Sequence, residues 1–153
     1  MTRRAAVTFA VLCLANTAAA QSTPSSAMTA AEVGAALEAA AAATPDMAVA
    51  RMVNTDAYRV NVVRRTTPQG AIAHGVGTEV HYIVSGTATL VTGGRLERPA
   101  GARAGTPATI ADGVPRIVHP GDIVLVPVGT PHWYSRIDEP LTYLEVRFDV
   151  KTP

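Results

Sequence analysis

The sequence predicts an all-β domain of the sandwich or barrel class, preceded by one α-helix. From residue 48 onward, short runs rich in Val, Ile, Tyr and Thr alternate with Gly and Pro, which is typical of many short strands joined by turns. The 153 residues have room for one domain. With 48% hydrophobic and 16% charged residues, the chain can bury a core that a disordered chain lacks.

The first twenty residues have the order of an export signal. Arg3 and Arg4 precede an apolar run from Ala5 to Ala15, and small residues end at Ala20. The run is too short to span a bilayer, so we expect cleavage after Ala20 and a periplasmic or secreted protein with no permanent membrane anchor. The sole cysteine, Cys13, lies within this segment, so the mature chain is expected to have no thiol for a disulfide or a zinc site.

Residues 21–47 are predicted to form a flexible lead-in followed by the helix. The lead-in is rich in Ser, Thr and Pro. Thr29 and Glu32 fit a capping box, the alanine-rich stretch to Ala43 favours a helix, and Thr44-Pro45 ends it. We expect this helix to pack on the outside of the β-domain, which occupies residues 48–153.

Six strands are predicted within that β-domain, with no internal repeat and no second domain. A turn is predicted at Ser85-Gly86. Residues 94–115, rich in Gly, Ala, Pro and Arg, are expected to be a surface connection between two halves of a barrel. The predicted strands are Val49–Met52, Tyr58–Arg64, Val80–Val84, Thr87–Val91, Ile123–Pro127 and Leu141–Val150.

Two segments, residues 74–86 and 121–132, contain most of the polar residues suited to chemistry. The second segment has a glycine, five residues, Pro-x-Gly, two residues and a histidine, ending at His132. In the first segment, Glu79 stands seven residues before Gly86. This pair of motifs resembles the cupin superfamily over residues 58–150. The resemblance implies a double-stranded β-helix, that is a jelly-roll barrel, here with an N-terminal α-helix.

The spacing of the motif residues predicts a metal site. Alternate side chains of a strand share a face, so His81 is expected to face inward with Glu79. Bringing the two motifs together would place His74, Glu79 and His132 around one point. Two imidazoles and one carboxylate suit one divalent transition-metal ion (Mn, Fe, Ni, Zn or Cu) and leave coordination positions open for a small-molecule ligand.

One ligand position of the family is missing here. Cupins that bind metal with four ligands usually begin the first motif with His-x-His, whereas Ile72 stands at the first of these positions and cannot ligate. His81 is therefore a candidate fourth ligand, and also a candidate hydrogen-bond partner of the ligands, a substrate-binding base or a structural interior histidine. Tyr134 has the inward parity of His132, so His81 and Tyr134 are the candidate catalytic residues for proton transfer.

Arginines and acidic residues in the last part of the chain allow simpler interpretations. Arg136 could face the pocket and bind a carboxylate, but pairing in solvent with Asp138 or Glu139 is the favoured interpretation. Glu145 and Arg147 share one face of the last strand and are expected to form only a cross-strand charge pair.

Two further residues near the second motif are assigned no chemistry. His119 precedes a turn, where a rim or surface position is expected. Trp133 should face outward, and there it would pack against another element or a second subunit.

The resemblance leaves several functions open. Cupins include dioxygenases, isomerases, decarboxylases and lyases, so a metal-dependent enzyme acting on a small polar molecule is one hypothesis. A non-catalytic cupin that binds or senses a small molecule or a metal is the alternative, and a purely structural domain is a third.

Without Arg3 and Arg4, the formal charge of +1 becomes slightly negative, which disfavours nucleic-acid binding. The resemblance also implies a possible homodimer.

Overall fold

The computed structural model of the protein describes residues 25–149. The predicted export signal and Cys13 lie outside the described residues. Between residues 25 and 149, no helix is both long and apolar enough to cross a membrane.

The helix α1 (Ala30–Ala43) begins at the predicted capping box. The Glu32 backbone N–H donates to the Thr29 hydroxyl at 3.2 Å, and the Thr29 N–H donates to the Glu32 carboxylate at 2.7 Å. The helix ends at Thr44, as predicted, and packs on the outer face of the first two strands. The buried side chains of this layer are Leu37, Ala48, Ala50 and Val62.

Within residues 25–149, eight antiparallel strands follow the helix. The main sheet has the order β1-β2-β8-β3-β6, with β7 also paired to β3, while β4 and β5 form a separate hairpin. The strands are β1 (Met47–Asn54), β2 (Tyr58–Arg65), β3 (Thr78–Thr92), β4 (Arg95–Glu97), β5 (Thr109–Ala111), β6 (Val114–Val118), β7 (Ile123–Val126) and β8 (His132–Phe148).

The architecture depends on a long ribbon made of β3 and β8. In this ribbon Glu79 lies opposite Arg147 near one end, and Thr92 lies opposite His132 at the other. A straight ribbon would separate Glu79 from Thr92 by roughly 43 Å at the usual rise per residue. The His132 Nε2 nevertheless lies 3.4 Å from a Glu79 carboxylate oxygen. The ribbon is therefore rolled back on itself, which is the jelly-roll arrangement that the sequence predicts.

The roll coincides with an irregular stretch of the ribbon around Gly86. The register between β3 and β8 shifts repeatedly between Ile83 and Ala88. Gly86 has φ +84°, and a Cβ atom at this position would collide with the carbonyl group of Pro140 on β8. Before the irregular stretch β3 pairs with β7, and after it β3 pairs with β6, so each half of the strand has its own neighbours.

The space inside the roll holds the main hydrophobic core. Two tyrosines and aliphatic residues from several strands form it, and most are almost completely buried. Its buried members are Val63, Ile83, Ala88, Leu90, Val118, Tyr134, Leu141 and Tyr143.

Three of the predicted element boundaries are wrong. Residues 80–84 and 87–91 belong to one strand, because Gly86 produces a bulge within the ribbon instead of a turn. The last strand begins at His132, not at Leu141. Residues 94–115 contain the β4–β5 hairpin and the start of β6. Four of the five β6 residues are exposed, so the strand has no alternating pattern to reveal it.

Replacing Gly86 with alanine should destabilise the protein more than replacing Gly93. Both glycines have positive φ, which costs an alanine about 1–2 kcal/mol. No atom lies within 4 Å of a Cβ at Gly93, whereas the collision at Gly86 should add about 1–3 kcal/mol. Urea unfolding of Gly86→Ala and Gly93→Ala measures the difference. Equal losses of stability would show that the ribbon does not need the close approach at Pro140.

Candidate metal centre

The structure brings together the three residues predicted to be metal ligands. His74 lies in the loop before β3, Glu79 is the second residue of β3, and His132 is the first residue of β8. The His74 Nε2 is 3.2 Å from Glu79 Oε1, and the His132 Nε2 is 3.4 Å from Glu79 Oε2. One potential ligand atom from each residue lies within 4.8 Å of the other two.

These separations fit a transition-metal site. Nitrogen and oxygen ligands lie about 2.0–2.2 Å from such an ion, so neighbouring ligand atoms are roughly 3.0–3.5 Å apart. Glu79 and His132 are almost fully buried, while the His74 side chain is 30% exposed. Solvent therefore reaches the site from the side of His74.

Backbone hydrogen bonds hold the two motifs against each other. Ile72 and His132 exchange two N–H···O bonds of 3.1 and 2.8 Å, and the His74 carbonyl accepts the Gly129 N–H at 2.8 Å. Ile72 is 39% exposed and supplies no ligand atom. The loop that contains His74 is thus fixed to the start of β8 although it belongs to no strand.

The hydrogen bond of His132 determines which ring nitrogen faces Glu79. Nδ1 lies 3.0 Å from the Thr130 carbonyl oxygen, which can only accept, so Nδ1 has the hydrogen. Burial lowers the pKa of His132, which favours the neutral ring. The Nε2 that points at Glu79 then has a lone pair and no hydrogen. This is the tautomer that a metal ligand requires.

The Glu79 carboxyl is ionised even though it is buried. Burial alone would raise its pKa, but the hydrogen bond from His81, the charge that His132 has in its protonated form and the guanidinium of Arg147 together lower the pKa to about 2. Burial also lowers the pKa of His74. At neutral pH the site is therefore an anionic carboxylate faced by two imidazoles whose neutral forms are favoured.

His81 and Tyr134 form a buried hydrogen-bonded chain behind the carboxylate. His81 Nε2 lies 3.1 Å from Glu79 Oε2, and Nδ1 lies 3.0 Å from the Tyr134 hydroxyl. Because an ionised carboxylate only accepts, Nε2 has the hydrogen; in the neutral ring Nδ1 accepts from Tyr134. Burial raises the pKa of Tyr134, which keeps the hydroxyl protonated. Both nitrogens of His81 are thus engaged.

The position of His81 differs from that of the three candidate ligands. A ring nitrogen of His81 lies within 4.8 Å of carboxylate oxygens of Glu79 and Glu145. His81 does not belong to the group formed by His74, Glu79 and His132. The structure therefore places His81 where it orients the carboxylate of Glu79. Ligation by His81 and proton transfer by His81 or Tyr134 stay predictions.

Sequence reasoning missed the role of Arg147. The expected charge pair of Glu145 and Arg147 does not form, because Arg147 binds Glu79 instead, with its Nε donating to Glu79 Oε1 at 2.7 Å. Glu145 instead accepts from the Asn61 side-chain amide at 2.9 Å. Gly77 provides the space, because a Cβ atom there would lie 2.7 Å from Arg147 Cγ. A register of β3 against β8 would have revealed the pair, since Arg147 lies directly opposite Glu79.

The other residues considered in the sequence lie away from the site. Arg136 is exposed and pairs with Asp138 at 2.9 Å, which confirms the favoured interpretation. His119 is exposed, as expected for a rim position. Trp133 is half-buried, and its indole N–H donates to the Gln69 carbonyl.

Comparison with solved structures identifies the fold of this chain. No protein-family model and no curated protein matches the sequence. The cupin domain of Cnp3 from Schizosaccharomyces pombe matches with a TM-score of 0.52 at 8% identity, over 69% of this chain and 66% of that one. The Fe(II) form of HppE matches with a TM-score of 0.52 at 14% identity, over 67% of this chain and 50% of that one.

A third structure covers most of its own chain. It is a protein from Ralstonia eutropha JMP134 provisionally assigned as a mannose-6-phosphate isomerase, with a TM-score of 0.50 and 19% identity over 70% of this chain and 88% of that one. The chain described here has the cupin fold, as its two motifs predicted. At these identities the likeness concerns the fold alone.

The stability of the metal-free protein should fall as the pH drops from about 7.5 to about 5.5. Because the pKa values of His74 and His132 are lowered in the folded state, the unfolded chain takes up protons near pH 6.5 before the folded chain does. The stabilisation is therefore present above that pH and lost below it. Denaturant unfolding of EDTA-treated protein measures the slope. His132→Gln should flatten it and the control His119→Gln should not; equal slopes in all three proteins would contradict this account.

Proposed function

We propose that this protein is a cupin that binds one divalent transition-metal ion through His74, Glu79 and His132 and uses it to act on a small polar molecule. The observation that carries the proposal is the geometry of His132. Its Nε2 lone pair points at an ionised carboxylate 3.4 Å away, and two such groups repel unless a cation or a proton lies between them.

The comparisons support the class of function without choosing a reaction. HppE has been solved with Fe(II) and in complex with its substrate. The donor set found here, two imidazoles and one carboxylate, is one that Mn, Fe, Ni and Zn accept, and Cu also binds imidazole. Three protein ligands leave coordination positions for a ligand atom of a substrate or for water.

The chain's own residues would prepare the site for such a ligand. A bound metal ion would supply Lewis acidity toward an oxygen of the small molecule. Arg147 and His81 hold the two oxygens of the Glu79 carboxylate in place, and Thr130 fixes the tautomer of His132. Tyr134 keeps its proton and donates it in a hydrogen bond to His81 Nδ1, which fixes the His81 tautomer that donates to Glu79.

One observation favours the alternative, a non-catalytic binding cupin. Glu79 already accepts hydrogen bonds from Arg147 and His81. A carboxylate whose charge is compensated by the chain's own donors could belong to a pocket that binds a small polar molecule without chemical turnover. Turnover of candidate acids and sugars by metal-loaded protein separates the two functions.

Purified protein should bind about one equivalent of metal, and His74→Ala or His132→Ala should weaken the affinity at least about 100-fold. Metal at 100 times its dissociation constant should stabilise the wild type by about 2.7 kcal/mol, because a preformed site binds only the folded state. Metal analysis and thermal unfolding with Mn, Fe, Ni, Zn and Cu measure both effects.

Two further variants make that experiment specific. His119→Ala, at an exposed histidine outside the site, should retain full affinity. His81→Ala should weaken affinity about tenfold if His81 orients Glu79, and as strongly as His132→Ala if it is a ligand. Absence of stoichiometric metal and of any stabilisation in the wild type would refute the metal site.

We propose that the chain is exported and acts in the periplasm or outside the cell. The basis is the order of charge, apolar run and small residues that ends at Ala20. After expression in a Gram-negative host, mass spectrometry of the periplasmic fraction should find a chain that begins at Gln21 and has no cysteine. A Leu12→Arg variant, which interrupts the apolar run, should stay uncleaved in the cytoplasm. An intact N-terminus in the wild type would exclude the signal.

The homodimer stays a prediction. The outer face of β3 and β7 exposes a group of apolar residues, and an apolar face of this kind suits a subunit contact. Sedimentation equilibrium decides whether two copies associate. The exposed apolar residues are Tyr82, Val84, Ile123 and Leu125.

A further inference from the structure

A cavity of about 580 Å³ lies next to the end of β2. Its walls come from the end of β2, the segment before His74 and the connection between β4 and β5. None of His74, Glu79 and His132 lines it. Its volume is within the range of small-molecule sites in proteins.

The charged residues that line the cavity are all arginines. Arg65, Arg98 and Arg103 line it, and none of its 14 lining residues is Asp or Glu. None of these three arginines takes part in an ion pair within residues 25–149. We propose that this cavity binds a small organic anion, with a carboxylate or phosphate group held by the three guanidinium groups.

Arg65 is the anchor of this anion site. The residue is half-buried, its Nε donates to the Tyr143 hydroxyl at 3.0 Å, and its guanidinium lies 5.5 Å from the centroid of the Tyr134 ring. These contacts fix the plane of the guanidinium but bring no carboxylate to it. A fixed guanidinium with free terminal N–H groups recognises carboxylate and phosphate in two-point geometry.

The other two arginines lie where an entering ligand would meet them. Arg98 and Arg103 are exposed, which places them at the rim, and Arg98 uses only its Nε, for a bond of 3.3 Å to the Thr106 carbonyl. Most of the remaining wall is small and apolar. We therefore infer a ligand with an anionic end and a short apolar body. The apolar wall residues are Met47, Ala71, Ile72, Ala102, Ala104, Pro107 and Ala108.

The anion site adjoins the metal centre through one layer of aromatic rings. Arg65 contacts Tyr134 and Tyr143, and Tyr134 contacts His81, which holds Glu79. The proposal does not depend on metal binding, because its ligand contacts come from a separate set of residues.

Titration calorimetry of EDTA-treated protein with hexanoate, hexyl phosphate and neutral hexanamide tests the anion site. One of the two anions should bind with 1:1 stoichiometry, and hexanamide should not. The anion that binds distinguishes carboxylate from phosphate recognition. Trp133, the sole tryptophan of the chain, donates to the carbonyl of Gln69 in the cavity wall, so its fluorescence should change on binding.

Removing the charges of the two arginines at the rim tests whether the anion binds in this cavity. The double variant Arg98→Gln/Arg103→Gln should weaken binding of the anion at least about tenfold. The reason is that a hydrogen bond between charged groups contributes more to the affinity than one between neutral groups. Arg116→Gln, at an exposed arginine outside the cavity, should leave binding unchanged. Lack of binding of both anions at about 10 mM, or equal binding by the rim variant, would overturn the proposal. Neither result bears on the metal site.

Discussion

The buried carboxylate of Glu79 is the constraint on which the rest of the site depends. Moving an ion of this kind out of water costs several kcal/mol unless close partners compensate for the lost hydration. Two donors supply this compensation, His81 and Arg147, and the imidazoles of His74 and His132 also face the carboxylate. Only His81 is near Glu79 along a strand. The other three reach it because of the way the chain folds.

Folding of the β3–β8 ribbon brings these partners together. One end of the ribbon supplies Glu79 and Arg147 as opposite residues, and the other end supplies His132. The roll between the two ends needs a close backbone approach, which Gly86 allows beside Pro140. The two-bond bridge between Ile72 and His132 then brings in the loop with His74. Ile72, which has no ligand atom, therefore helps to position His74 through its backbone.

Local rules made much of the site predictable from the sequence. The spacing of Gly121, Pro127 and Gly129 places a tight turn before His132, and strand alternation predicts that His81 faces inward with Glu79. Thr29 and Glu32 fix the start of the helix in the same local way, because the two side chains satisfy each other's backbone N–H groups.

What the sequence did not reveal depends on register and on long-range closure. Arg147 is 68 residues from Glu79, and only the pairing of β3 with β8 sets them opposite each other. The arginines of the cavity illustrate the same limit, since Arg65 ends β2 whereas Arg98 and Arg103 lie in the connection after β4. Composition marks that connection as an irregular surface segment. The packing of this connection near the end of β2 depends on tertiary contacts, which no local sequence pattern reveals.

The most direct test of the metal site is an anomalous diffraction map of crystals grown with Mn(II). The account predicts one strong peak per chain, bonded to the Nε2 atoms of His74 and His132 and to the carboxylate of Glu79, with His81 still hydrogen-bonded to Tyr134. Such a peak beside Glu79, His81 and Glu145, or no peak at the three ligands, would contradict the account.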